Sequence, residues 1–263
     1  MNISIKKLLK NLSNPLSKPP AVLLISGSFN PVHLKHIHIL EVAKKYLENQ
    51  YEIVGGYISP FSNDYVQETN PDEAIPLKER LEMIQIVIDK SSWIEINESL
   101  TSNNSADCNL IITTLSDYLN ENNQIKEILK EKQLEVIYVC GSDLIKKYYP
   151  KEQLKNLENF KVIIIKRYFK EEEVQNQKNQ DWTDEYRKVL AEFYKDKWND
   201  FEKNNVIFID QNQNENDPDI KISSTKIREI YIEKDSSWEK MCHPEITEYI
   251  KKNKILEFKS LKH

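Results

Sequence analysis

Six short runs of β-branched and aliphatic residues punctuate the chain: AVLLIS (21–26), YEIVGGYIS (51–59), WIEI (93–96), LEVIYVC (134–140), KVIIIK (161–166) and VIFI (206–209). They are nearly continuous in apolar character instead of alternating, which is the pattern of strands covered on both faces. The segments between them, at about 36–49, 77–90, 109–120, 143–148 and 182–203, space their apolar residues at a helical period. Strand and helix in alternation need crossover connections, so the chain is expected to be α/β: a doubly wound, mainly parallel sheet with helices on both faces. In such sheets ligands lie beyond the carboxyl ends of the strands, near the point where strand order reverses. The residues that directly follow the runs are therefore the ones to read for chemistry.

With 263 residues, 39% of them hydrophobic, the chain can bury one large core. Residues 1–20 are weakly amphipathic, with Lys but no Arg, and read as a disordered or loosely docked arm. Residues 21–222 read as the α/β domain, including a charged helical insertion at 170–204 whose Trp182, Tyr194 and Trp198 are expected to dock on the body. Residues 223–263 read as a helical part of the same domain, with helices at about 223–232 and 244–253.

The formal charge of −5, from 42 acidic and 37 basic residues, offers no basic field for nucleic acid. No apolar stretch approaches the roughly 18 residues of a membrane span, and the first twenty residues lack a signal peptide's compact apolar run. Cys108, Cys140 and Cys242 stand far apart, against both a disulfide framework and a structural zinc site. An intracellular location is expected, cytoplasmic or nuclear, with an organelle left open.

Glycine occurs only four times, at Gly27, Gly55, Gly56 and Gly141, all within or at the ends of the strand-like runs. Each is expected to serve a bend or a close approach.

Two stretches carry most of the chemistry. In ISGSFNPVHLKHIHIL (25–40), a strand ends at Gly27, a turn follows through Ser28, Phe29, Asn30 and Pro31, and a helix starts near His33. Loop amides and a helix N-terminus together form an anion site. His33 and His36 stand three apart and share a helical face, whereas His38 turns away. Capping or surface histidines are the plain alternative, and metal binding lacks further ligands at a supporting spacing. In ISSTKIREI (222–230), Ser223 or Ser224 caps a helix, Thr225 adds a hydroxyl and Arg228 lies one turn on, so several donors converge on one anion. A well-capped helix with a surface arginine is the plain alternative here. Neither G-x-G-x-x-G nor a P-loop is present, which argues against a dinucleotide dehydrogenase and a P-loop NTPase.

A third stretch, VCGSDLIKKY (139–148), places Gly141 and Asp143 after a central strand. The order GSFNPxHxxH, CGSD, ISSTKIR resembles the nicotinamide/nicotinate mononucleotide adenylyltransferases, of the nucleotidylyltransferase superfamily with the H-x-G-H signature. The likeness runs from about residue 21 to 258, and Lys35 stands where the signature has glycine. It implies transfer of the adenylyl group of ATP to a pyridine mononucleotide, forming NAD or its deamido form and pyrophosphate. His36 and His33 would act at the α-phosphate and Arg228 at the leaving phosphates. The ATP site would draw on Gly27, Ser28, Phe29, His36, Gly141, Asp143, Ser223, Ser224, Thr225, Lys226 and Arg228. The mononucleotide would meet Ser28, Phe29, Ser59, Pro60 and Asp143, with Trp93 stacked on its pyridine ring. Mg²⁺ would arrive with the phosphates without a protein cage, and a homo-oligomer is implied.

The chain also departs from that pattern. Val66-Gln67-Glu68 replaces a lysine cluster, the connection YYPKEQLKNLENF lacks a second tryptophan, and Ile220 replaces an asparagine. All three lie on the acceptor side. A related transferase with a different phosphorylated acceptor, or a scaffold reusing the fold, remain the alternatives.

Overall fold

A computed structural model describes residues 2–102, 106–148, 157–166, 183–210 and 222–258. The elements run α1 (Lys6–Leu12), β1 (Pro20–Gly27), α2 (Leu34–Leu47), β2 (Glu52–Pro60), α3 (Asn63–Thr69), α4 (Leu77–Ile88) and β3 (Ile94–Ile96). They continue with α5 (Cys108–Glu121), α6 (Asn123–Leu129), β4 (Glu135–Gly141), α7 (Ser142–Tyr148), β5 (Lys161–Ile165), α8 (Thr183–Tyr194), α9 (Trp198–Asn205), β6 (Val206–Ile209), α10 (Ser224–Ile232) and α11 (Pro244–Asn253). All six apolar runs form strands, in the spatial order β3-β2-β1-β4-β5-β6, and every pairing is parallel. The doubly wound α/β expectation holds.

This order fixes where a ligand can sit. The chain builds outward from β1 to β3, then crosses back to β4 and builds the other way, so β1 and β4 form the central pair. Their carboxyl ends, Gly27 and Gly141, flank the crevice that a strand-order reversal opens.

Side chains alternate along β1, with Val22 and Leu24 packing on one face and Ala21, Leu23 and Ile25 on the other. The first face is covered by α1, α5, α6, α8 and α9, through residues such as Leu8, Ile112, Leu115 and Trp198. The second is covered by α2, α4, α10 and α11, through Leu40, Ile84, Ile227 and Ile246. Tyr194 and Trp198 dock on the body as expected, whereas Trp182 lies outside the described residues. Among the described residues no helix is long and apolar enough to cross a membrane.

The first twenty residues contradict the expectation of a loose arm. Ile3 bridges Asn97 in antiparallel fashion, α1 buries Leu8 and Leu12 completely or nearly so, and Pro20 already belongs to β1. Glu95, buried in the middle of β3, caps the start of α1. Its carboxylate accepts from Ser4 Oγ at 2.7 Å and from the amides of Lys7 and Leu8 at 3.0 and 3.1 Å. Lys7 Nζ donates to the carbonyls of Ile88 and Ile94. The partners lie some ninety residues away, and the lysines on the outer face of α1 mask its apolar stripe in composition.

Candidate active site

The loop after β1 is an unusual piece of backbone. Phe29 adopts φ 46°, the left-handed region that side-chain-bearing residues seldom enter, and the Asn30–Pro31 peptide is cis. The conformation is held from below by Asn30, whose buried carboxamide donates to Glu73 O at 2.9 Å and accepts from Ile75 N at 2.7 Å. Such an observed outlier marks a place where surrounding contacts over-determine the backbone, as they do around ligand clamps.

The loop delivers His33 to the N-cap of α2 and His36 to its first turn. Their rings stack with centroids 3.6 Å apart, and Phe29 meets His36 edge-on at 4.8 Å. The His33 amide donates to His36 Nδ1 at 3.1 Å. With Nδ1 used as an acceptor, the ring proton of neutral His36 belongs on Nε2. His33 is buried and His36 half-buried, whereas His38 is exposed on the opposite side of the turn, as the spacing predicts. Lys35, in the signature's glycine position, is buried.

The C-terminal motif reaches this loop across almost two hundred residues. Ser223 is the N-cap of α10, its hydroxyl accepting from Lys226 N at 3.1 Å, and Ser224 Oγ donates to Pro31 O at 2.8 Å. Arg228 NH1 donates to Asn30 O at 2.7 Å, its Nε pairs with Glu73 Oε2 at 2.7 Å and its NH2 reaches Asn70 Oδ1 at 3.3 Å. The guanidinium is thus buried beneath the loop and tied to a carboxylate, not displayed at the surface as a lone phosphate clamp. Thr225 and Lys226 are exposed on the first turn of α10, with Lys226 3.9 Å from Glu229.

Across the central pair of strands, Gly141 ends β4, Ser142 is fully buried and Asp143 stands half-buried in the first turn of α7. Ser59 and Pro60 end β2 beside Ser26 and Gly27, buried, and the Phe61 amide donates to Gly27 O at 2.9 Å. Gly27, Ser28, Phe29, His33, His36, Gly141, Asp143, Ser59, Pro60 and the start of α10 therefore gather at one end of the sheet.

Trp93 does not join them. It precedes β3, level with Gly55 partway along β2 and short of the carboxyl end of that strand at Pro60. It is buried there, with its Nε1 donating to Glu41 Oε1 at 3.0 Å and Lys44 Nζ 4.3 Å above its ring. It also explains a glycine: a Cβ on Gly56 would lie 2.6 Å from Trp93 Cζ3, inside any tolerable contact. Gly56→Ala is expected to destabilise the fold by about 1–3 kcal/mol through overpacking, read as a lowered melting temperature. An unchanged melt would mean the tryptophan is not fixed against the strand. At Gly27, by contrast, a Cβ would only touch the Phe29 ring at 3.6 Å, an ordinary contact, so the chain's own packing does not demand glycine there.

The profile of the family described as cytidylyltransferase-like matches residues 24–230, from β1 into α10. The chain belongs to that family. Among curated relatives, the nicotinamide/nicotinic acid mononucleotide adenylyltransferase of Arabidopsis thaliana is 27% identical over 135 residues, 51% of this chain and 53% of that protein. The nicotinamide/nicotinic acid mononucleotide adenylyltransferase 2 of Danio rerio is 34% identical over 83 residues, 31% of this chain and 26% of that protein. The chain thus spans about half the length, or less, of the curated relatives it matches. Among solved structures, a Plasmodium falciparum nicotinic acid mononucleotide adenylyltransferase complexed with NaAD superposes with TM-score 0.60 at 19% identity, over 91% of this chain and 98% of that one. The same protein complexed with APC gives TM-score 0.58 at 17% identity. These two share the fold.

Asn30 and Glu73 hold this loop through contacts that the motifs did not reveal. Asn30 had a visible signal, an asparagine before proline directly after a strand. Glu73 had none, lying in the polar stretch NPDEAIP.

Proposed function

We propose that the chain is a nicotinamide/nicotinate mononucleotide adenylyltransferase, taking MgATP and a pyridine mononucleotide to a dinucleotide and pyrophosphate. The observation that carries this reading is the meeting of the two motifs. Ser224 and Arg228 bond to Pro31 and Asn30 directly beside the switch point of the sheet. A scaffold has no need to hold two helix N-termini and a left-handed loop around one crevice.

In this reading the mononucleotide phosphate attacks the α-phosphorus of ATP in line, and pyrophosphate leaves with the electron pair of the broken P–O bond. Positioning and charge stabilisation supply most of the acceleration in such a step. His36, with its proton on Nε2, donates to an α-phosphate oxygen whose charge grows in the transition state. His33 buttresses the ring by stacking and by its amide. The amides at the start of α10 and of the Ser28–Phe29 loop hold the departing phosphates, and the space above Gly27 lets phosphate approach the backbone. Asp143 accepts from a ribose hydroxyl. Mg²⁺, brought by the triphosphate, would neutralise phosphate charge there. Among the described residues no group of three or more His, Cys, Asp or Glu is arranged to hold a metal.

Arg228 serves the leaving phosphates from beneath, by holding the Asn30 carbonyl and the Glu73 carboxylate under the loop that meets them. Arg228→Lys, which keeps the charge but loses the planar fork, is expected to raise KM for ATP on the order of tenfold, about 1.4 kcal/mol. An unaltered KM would leave Arg228 as a strut only.

The overall test is formation of pyrophosphate and dinucleotide from MgATP with each pyridine mononucleotide; no product with either defeats the reading. The position of Trp93 favours a second reading, a sister transferase with another phosphorylated acceptor. So does the segment after Tyr65, where α3 buries Val66 and exposes Gln67 and Glu68 in place of lysines. ATP binding without turnover on either mononucleotide is its signature.

A further inference from the structure

Arg80 lies in α4 and shows no solvent exposure, yet it carries a guanidinium into the core. Its Nε donates to Ile75 O at 3.0 Å, NH1 to Ser28 O and Phe61 O at 2.9 Å each, and NH2 to Ser62 O at 3.2 Å. No carboxylate among the described residues accepts from it; the charge is met by carbonyl dipoles alone. Burial draws its pKa down, to about 10, which still leaves it cationic at neutral pH.

A buried cation without a counter-ion is an expensive way to fill a core, and an aliphatic side chain of similar volume would serve packing as well or better. What an aliphatic side chain could not do is hold four carbonyls from three separate segments at once. Those segments are particular. Ser28 opens the loop after β1, Phe61 and Ser62 form the loop after β2, and Ser62 caps α3 by accepting from Tyr65 N at 3.1 Å. Ile75, the third, is also gripped through its amide by Asn30. A closed circuit therefore runs from the strained loop at Phe29 through Asn30, Ile75 and Arg80 back to Ser28. The same guanidinium sets the distance between the two loops that wall the crevice on the β1 and β2 sides.

We propose that Arg80 is a positioning residue for adenylyl transfer: its planar fork locks the loops after β1 and β2 in the spacing at which the reacting phosphates align. The inference rests on the adenylyltransferase reading above. It predicts a failure of alignment instead of a failure of binding, because Arg80 itself touches no substrate.

The experiment compares wild type with Arg80→Lys and with Arg80→Ala, the latter with and without added guanidinium ion. All are assayed well below their melting temperatures with MgATP and whichever mononucleotide the wild type uses. Arg80→Lys keeps a buried cation but replaces the fork by a point charge with rotatable donors. It is expected to stay folded while kcat falls on the order of 10²-fold, the scale of an ångström's misplacement, with KM for ATP little changed. Guanidinium is expected to restore part of the turnover of Arg80→Ala where sodium at equal ionic strength does not. If Arg80→Lys is folded and turns over like wild type, or if its loss lies wholly in KM, the positioning role is wrong. Should Arg80→Ala fail to fold, the lysine variant alone decides. A wild type without turnover on either mononucleotide is a different result: it removes the adenylyltransferase reading and this role with it.

Discussion

Replacing His36 with alanine is expected to lower turnover by on the order of 10² or more while leaving the fold intact, since positioned donors at a developing charge carry factors of that size. The ring is held on three sides: His33 stacks on it at 3.6 Å, Phe29 abuts it at 4.8 Å and the His33 amide binds its Nδ1. That last bond is what makes the remaining nitrogen a fixed donor, because a ring free to flip would present an acceptor to phosphate half the time. The stabilising cost of the substitution is modest, because the first turn of α2 keeps its backbone bonds and His36 is only half-buried. Activity and melting temperature therefore separate. The decisive measurement is single-turnover formation of the dinucleotide by a variant whose melting curve matches wild type. Undiminished turnover there would remove His36 from the chemistry and leave the stacked pair as a helix cap.

The strands were legible because a parallel sheet covered on both faces demands continuous apolar runs, and those runs announce themselves. The loop after β1 and the start of α10 were legible for another reason: Gly-Ser-Phe-Asn-Pro and Ser-Ser-Thr after a strand can do little but turn and cap. Trp93 shows that a residue's place along its strand matters as much as its type. GSFNP and CGSD follow their apolar runs, whereas Trp93 opens WIEI, and in a parallel sheet the residue that opens a strand lies short of the carboxyl end where ligands sit. Arg228 shows the limit of local reading. Its place on the helix was plain, but the carboxylate that engages it comes from residue 73 and the carbonyl from residue 30. Arg80 stood as one polar residue among several in a helix, and nothing in its neighbours' spacing separates a buried fork from a solvated one.

Glu95 carries a signal of its own, a charge in the middle of a buried strand, and the loss of the element it caps is expected to cost much of the stability. Removing residues 2–17 is expected to abolish cooperative folding. Leu8 and Leu12, at 0% and 2% exposure, sit in the core on the face shared with α5 and α6. Truncating one such leucine to alanine costs about 2–5 kcal/mol, so losing both approaches the ~5–15 kcal/mol that holds a typical domain together. The deletion also strips Glu95 of the Ser4 hydroxyl and two amides, leaving a buried carboxylate without donors, a situation that costs several kcal/mol when one side of a buried charged contact is removed. β3 is affected most, since it has three residues and a single neighbouring strand, and the bridge between Ile3 and Asn97 is its other backbone support. Calorimetry of the truncated chain should show no cooperative transition. Glu95→Gln in the full chain, which keeps an acceptor for α1 but loses the charge, should melt below wild type yet remain cooperative. A truncated protein that melts cooperatively near the wild-type temperature would return residues 1–20 to the loose arm that composition suggested. Glu95 would then need another reason to be buried.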